Sequence, residues 1–428
     1  MLFEKITLID ENYEVKENMY VGVEGDKIDY ISDVAPEKDY GDKICGKNKL
    51  LTNGWFNCHT HLPMTLLRGY AENLKLQDWL FTKVFPFEGK MNAEDVYYGA
   101  LLGIAEMFRY GTVYATEMYF HPLSIMDAAK ESGIKLNLCT GTTEFGEGSL
   151  KDNKNFNEEL DLHERCAKME DGRIKADFSL HSEYITTERI VKELGEFLKG
   201  KDERVHVHLS ETKSETDECI ARHGLTPAQY FEKCGIMNAR VNAAHSVWLS
   251  DKDLEIYKKY DVTAVHNPMS NLKLGSGFAR VEKMLSMGIN VAVGTDGVAS
   301  NNNFNLLEDL RFASIMHNPA NEFPDVINPV NLVKMGTING ANAQGREDCG
   351  QIKVGNKADF AVYDLNEISM KPAHNLINNL IYSMPGGGCV MTVVDGKIVY
   401  DNGTFPTIDI EKVCEKVEQS RQRILAEI

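Results

Sequence analysis

Between residues 50 and 294 the chain keeps one rhythm: a short apolar run, a turn, a stretch with helical spacing, then another apolar run. The runs fall at 50–57, 112–119, 134–140, 174–180, 204–209, 241–244, 262–266 and 289–294. Helical patterns between them include 92–110, 122–132, 157–169, 187–198, 226–234, 251–259 and 278–287. Short apolar runs bounded by turn residues read as buried strands, and period-3.6 segments between them as crossover helices. Eight such steps predict an α/β fold built on a distorted (β/α)8 TIM-like barrel, whose chemistry gathers where strands hand over to loops. Asn92 is placed to cap its helix, with Glu94 and Asp95 favourable at the positive end, and Gly111 ends it.

The flanks read differently. Residues 1–50 hold short strands at 3–9, 19–24 and 27–31, too few to bury a core alone. A β pattern returns at 355–363 and 389–400, so strands from both chain ends would complete one small domain. The expected division is residues 1–50 as the N-terminal part of this composite β domain and 51–350 as the catalytic barrel. Residues 351–428 then supply the C-terminal part plus a terminal helix over 411–425. That helix would lie on the surface or contact another copy in a homo-oligomer.

The formal net charge of −18 gives the surface a negative average potential, which disfavours nucleic acid and anionic membranes without a basic patch. The start of the chain, with Glu4 and Asp10, lacks the basic and apolar regions of a secretion signal, and no apolar run is long enough to span a bilayer. Nine dispersed cysteines, an odd number, point to reduced thiols and a cytoplasmic setting.

Residues that carry chemistry stand at the ends of the apolar runs. His59 and His61 close the first, and on a strand they point the same way. His208 closes the fifth with Glu211 just beyond it, His245 closes the sixth, and Asp296 follows the eighth after the small Gly294. A barrel brings these distant ends to one mouth. Three imidazoles at 59, 61 and 208 with a carboxylate at 296 suit one divalent metal, zinc first, with iron or manganese as alternatives. A metal held there would acidify a water and supply a nucleophile at neutral pH. His245 would hydrogen-bond to the incoming oxygen, and Glu211 would carry a proton to the leaving side. His206 shares a strand face with His208 and reads as a packed or supporting histidine nearer the barrel interior.

These stretches closely resemble the amidohydrolase superfamily, in particular its methylthioadenosine/S-adenosylhomocysteine deaminases. The similarity lies in Asn57-Cys58-His59-Thr60-His61 through Gly69, His208-Leu209-Ser210-Glu211-Thr212, His266 through Leu274 and Gly294 through Asn302. The resemblance implies a distorted barrel beside a composite β-sandwich, and hydrolytic deamination of a small-molecule adenine nucleoside. It implies metal binding by His59, His61, His208 and Asp296, with proton handling by Glu211, His245 and Asp296. It also implies nucleoside contacts from Trp79 and Glu88, in the long segment after the first barrel strand, and from His181 at the end of the fourth.

Relatives that accept S-adenosylhomocysteine can carry an arginine after the third strand, where this chain reads Leu138-Cys139-Thr140-Gly141-Thr142-Thr143. Without a bidentate partner for the amino-acid carboxylate, neutral substrates are expected: methylthioadenosine, 5′-deoxyadenosine or adenosine. Arg165 and Arg189 are the basic residues that would have to reach in from elsewhere. The alternatives are a deaminase or chlorohydrolase of another heterocycle, such as guanine, cytosine or an s-triazine, and a catalytically silent protein on the same fold.

Overall fold

The computed structural model describes residues 1–428, the side chain of Ala320 excepted. The predicted barrel is there, laid down as two parallel ladders. One holds Trp55–Thr60, Thr112–Met118, Lys135–Cys139 and Ile174–Ala176; the other holds Phe178–Leu180, Arg204–Leu209, Arg240–His245, Thr263–His266 and Val291–Val293. The strand expected at 174–180 is broken at Asp177, so its first half pairs with Lys135–Cys139 and its second with Arg204–Leu209. Asp177 is buried and accepts the Asn137 amide at 3.0 and 3.1 Å, a polar demand that an unbroken strand would leave unmet.

The first and last strands meet through their ends. Asn57 Oδ1 accepts the Thr295 N–H at 2.9 Å, and Asp296 N–H donates to the His59 carbonyl at 3.0 Å. Gly294 permits this approach, because a Cβ there would come within 2.5 Å of Asn267 Oδ1 and 2.9 Å of the His59 nitrogen. The opposite end of the barrel is plugged: Gln344 donates to Thr116 Oγ1 at 3.1 Å, Asn242 to Ala343 O at 3.0 Å and Arg346 to Leu136 O at 3.0 Å. The helices begin as their caps dictate. Asn92 accepts from Glu94 and Asp95, and Asp95 bonds back to the Asn92 N–H, opening Ala93–Arg109; Ser250 and Asp253 do the same for Asp251–Tyr260.

Both chain ends contribute to one mixed eight-stranded sheet. Its halves join where Lys49–Asn53 pairs antiparallel with Phe360–Asp364. Phe3, Ile6, Leu8, Val21, Leu51, Phe360, Val362 and Val393 form its core. The run at 389–400 is a hairpin, Cys389–Val394 against Lys397–Asp401. Lys135 Nζ, buried between Asp359 at 2.7 Å and Asp395 at 2.6 Å, ties this sheet to the barrel. The terminal helix, Ile410–Glu427, packs on Ala93–Arg109, burying Val413 and Ile424 and pairing Lys416 with Glu94 at 2.9 Å and Arg423 with Asp95. No helix of the described residues is long and apolar enough to cross a membrane.

Candidate metal centre and active site

The strand ends converge as their spacing predicts. His61 Nδ1–H donates to Met118 O at 2.7 Å and His208 Nδ1–H to His181 O at 2.7 Å, so both rings turn a bare Nε2 to the barrel axis. His59 Nδ1 meets His206 Nε2 at 2.8 Å, which turns the His59 Nε2 inward too. His206 therefore supports a candidate ligand from behind. The inward atoms lie close: His61 Nε2 is 3.4 Å from His208 Nε2 and 3.3 Å from Asp296 Oδ1, and His59 Nε2 is 3.6 Å from the same oxygen. Bonds of about 2.05 Å in a tetrahedron put ligand atoms about 3.3 Å apart.

This donor set fits one divalent metal of the zinc type. Lone pairs facing one another across 3.4 Å repel unless a cation lies between them, and His59 Nε2 is buried with no hydrogen-bond partner. Burial holds His59, His61 and His208 below the usual histidine pKa, leaving the neutral imidazoles that a metal requires.

Asp296 is held with its backbone in the left-handed region, φ 63°. Its Oδ2 accepts the Ser270 hydroxyl at 2.7 Å and the Ser300 hydroxyl at 3.1 Å, and its Oδ1 accepts the Gly297 N–H at 2.7 Å. Burial alone would raise its pKa, but His61, His245, Ser270 and Gly297 together hold it below the usual carboxylate value. Glu211 receives one long hydrogen bond from Ser276 at 3.4 Å, and burial pushes it up. His245 Nδ1 meets Asn271 Oδ1 at 2.8 Å and its Nε2 stands 3.8 Å from Glu211. Burial opposes its protonation, yet Glu211 and Asp296 hold its pKa above the usual value. His245 also belongs to a triad with His59 and His208 whose donor atoms lie within 4.8 Å of one another, so it faces the same centre.

The mouth opens into a cavity of about 220 Å³ lined by His61, His181, His208, Glu211, His245 and Asp296, with an apolar wall opposite. That wall comes from the long segment after the first barrel strand, which the structure makes helical through Leu76–Trp79, Leu80–Val84 and Phe85–Glu88. Its middle is a π turn, which sets Leu76, Leu80, Val84 and Glu88 on one inward face beside Trp79. Trp79 is buried and donates to Ala71 O at 3.1 Å. Glu88 accepts the Tyr119 hydroxyl at 2.5 Å, and burial pushes its carboxyl up to about 7. His181 reaches the cavity with its Nδ1 unpaired, and burial holds its pKa down at about 3.

The candidate ligands His59, His61, His208 and Asp296 thus meet at one centre, and Trp79, Glu88, His181, Glu211 and His245 line the cavity beside it. The sequence Amidohydrolase family matches residues 50–399. A 5-methylthioadenosine/S-adenosylhomocysteine deaminase of Thermoanaerobacter pseudethanolicus is 37% identical over 428 residues, 99% of this chain and 99% of that one. The chain belongs to the methylthioadenosine/S-adenosylhomocysteine deaminase family of amidohydrolases. A 5′-deoxyadenosine deaminase of Methanobrevibacter smithii is 37% identical over 404 residues, 94% of this chain and 93% of that one. Among solved structures, a zinc-bound adenosine deaminase from Xanthomonas campestris has a TM-score of 0.92 at 27% identity, covering 99% of this chain and 98% of that one.

For a member of this deaminase family, the sequence left several residues of the site unread. Ser270 and Ser300, which clamp Asp296, lie inside the stretches that carried the resemblance, so their position was the available signal. Glu215 accepts the Ser210 and Glu211 N–H groups at 2.8 and 2.7 Å, and Tyr119 holds Glu88. Arg165 and Arg189 stay outside: Arg165 pairs with Asp161 at 2.7 Å and Arg189 with Glu193 at 2.8 Å. Among the described residues, no Lys or Arg side chain lines the cavity.

Proposed function

We propose that this chain is a metal-dependent hydrolytic deaminase of neutral 5′-substituted adenosines, releasing ammonia and the corresponding inosine. The observation that carries this reading is three imidazoles and Asp296 turned to one point, with Glu211 and His245 beside them at the end of a nucleoside-sized cleft.

His59, His61, His208 and Asp296 are the residues that would hold the metal. A divalent metal there, zinc first with iron or manganese as alternatives, supplies the Lewis acidity that makes water a nucleophile at neutral pH. Asp296 takes a proton as water adds to C6 of the adenine ring. Glu211, whose carboxyl burial pushes up from its ordinary pKa, gives a proton to N1 and makes the ring a better electron sink. His245 hydrogen-bonds to the oxygen arriving at C6. The proton taken by Asp296 passes to the amino group, which leaves as ammonia, and the proton on the new C6 oxygen restores Glu211, leaving a hypoxanthine ring.

Trp79 packs against the nucleoside, Glu88 accepts from the ribose hydroxyls and His181 hydrogen-bonds to the purine. A cavity wall without Lys or Arg offers an amino-acid carboxylate no counter-charge, so methylthioadenosine, 5′-deoxyadenosine and adenosine are favoured over S-adenosylhomocysteine. The test is ammonia release by the zinc-loaded enzyme on these four nucleosides, with guanine, cytosine and an s-triazine alongside. Turnover of the three neutral nucleosides well above the rest is expected. A large advantage for S-adenosylhomocysteine would overturn the preference, and turnover confined to the free bases or triazine would overturn the nucleoside reading.

A further inference from the structure

Tyr119 stands one residue past the second barrel strand, Thr112–Met118, with 5% of its surface exposed. Its ring is fixed by Phe120, stacked at 4.4 Å between centroids, and lies 6.3 Å from the ring of His61. Its N–H donates to Cys139 O at 3.1 Å. From this rigid base its hydroxyl donates to Glu88 Oε1 at 2.5 Å. Glu88 itself ends the helical segment that walls the cavity, immediately before Gly89. A glutamate at such a place has three free torsions, and among the described residues the Tyr119 hydroxyl is the hydrogen-bond donor to its carboxylate.

We propose that Tyr119 is a positioning residue for Glu88 and that the pair reads the vicinal hydroxyls of the substrate sugar. The proposal rests on the ribose role given to Glu88 above. One carboxylate oxygen is engaged by the phenol, which leaves the other to accept a hydroxyl from the cavity. A neutral donor does this without cancelling the charge, whereas an arginine or lysine would saturate the acceptor. The neighbouring residue sharpens the argument: Met118 O orients the candidate metal ligand His61, and the next side chain orients Glu88. One peptide unit therefore ties the orientation of the candidate metal ligand His61 to that of the carboxylate facing the sugar.

The test is steady-state kinetics of the zinc-loaded holoenzyme on adenosine and 2′,3′-dideoxyadenosine, with Tyr119→Phe and Glu88→Gln singly and combined. Metal content and melting temperature are measured for each. Wild type should favour adenosine. Tyr119→Phe should raise KM for adenosine about tenfold, the size of a hydrogen bond to a charged group, with kcat retained and the dideoxy substrate unaffected. The double variant should be no worse than Glu88→Gln alone, because the two act as one unit. Wild-type KM in Tyr119→Phe, or an equal rise for both substrates, would overturn this inference alone. A wild type indifferent to the diol would overturn the ribose role of Glu88 and this inference with it.

Discussion

Glu211 and Asp296 are two buried carboxyls in one mouth, and their surroundings push them apart. Burial raises both, but Asp296 is surrounded by His61 and His245 and receives Ser270 and Gly297, whereas Glu211 receives one long hydrogen bond from Ser276. Two carboxyls split in this way divide acid from base. Glu211→Gln should therefore keep its metal and lose kcat by about a hundredfold or more, read from ammonia release beside metal content; a fully metallated variant near wild-type kcat would refute the proton-carrier role. At this scale the candidate ligands were legible because a histidine or aspartate ending an apolar run is out of place in a core. Ser270, Ser300 and Tyr119 were not, since a serine in a short helix or turn and a tyrosine just past a strand are ordinary. Their meaning comes from partners such as Asp296, 26 residues from Ser270, and Glu88, 31 residues from Tyr119.

The strands of the mouth are pinned by buried acids. Glu117 Oε2 accepts the Thr60 hydroxyl at 2.5 Å and the Leu62 N–H at 2.9 Å, joining the first strand end to the second. Glu159 on Lys154–Ala167 accepts the Thr140 and Ser179 N–H groups at 3.1 and 3.2 Å, joining the third to the fourth. Burial pushes Glu117 up to about 8 and Glu159 up to about 7. Each folded value lies above the ordinary glutamate value, so the folded form binds more protons in between. The associated stability is present below about pH 4.5 and is lost as pH rises through 7 to 8. The melting temperature of the holoenzyme should accordingly fall between pH 5 and 8, and Glu117→Gln, which matches the protonated carboxyl in shape, should fall less steeply. Equal slopes would refute the contribution of Glu117. The strand rhythm itself was legible, because buried parallel strands are nearly all apolar. The break at Asp177 and the helical wall were not: one depends on Asn137, 40 residues away, and the other interrupts its period with a π turn and Pro86.

For the whole molecule, a sheet built from both chain ends was readable from β patterns at residues 1–50 and 355–400. The seat of the terminal helix was not, since its many charges suit solvent and a protein neighbour equally. Arg423 against Asp95 and the burial of Ile424 decide for the helix Ala93–Arg109. Ile424→Ala should cost about 2–5 kcal/mol and lower the melting temperature by several degrees, with KM unchanged because the contact lies away from the cavity; an unchanged melting temperature would refute the packing. The joint between Lys49–Asn53 and Phe360–Asp364 has a further effect. As the polypeptide leaves the ribosome, its early strands emerge with one flank unmatched and stay so until the entire barrel has been translated. A prematurely terminated product never supplies the match, and retains an adhesive edge open to strand exchange with other nascent chains.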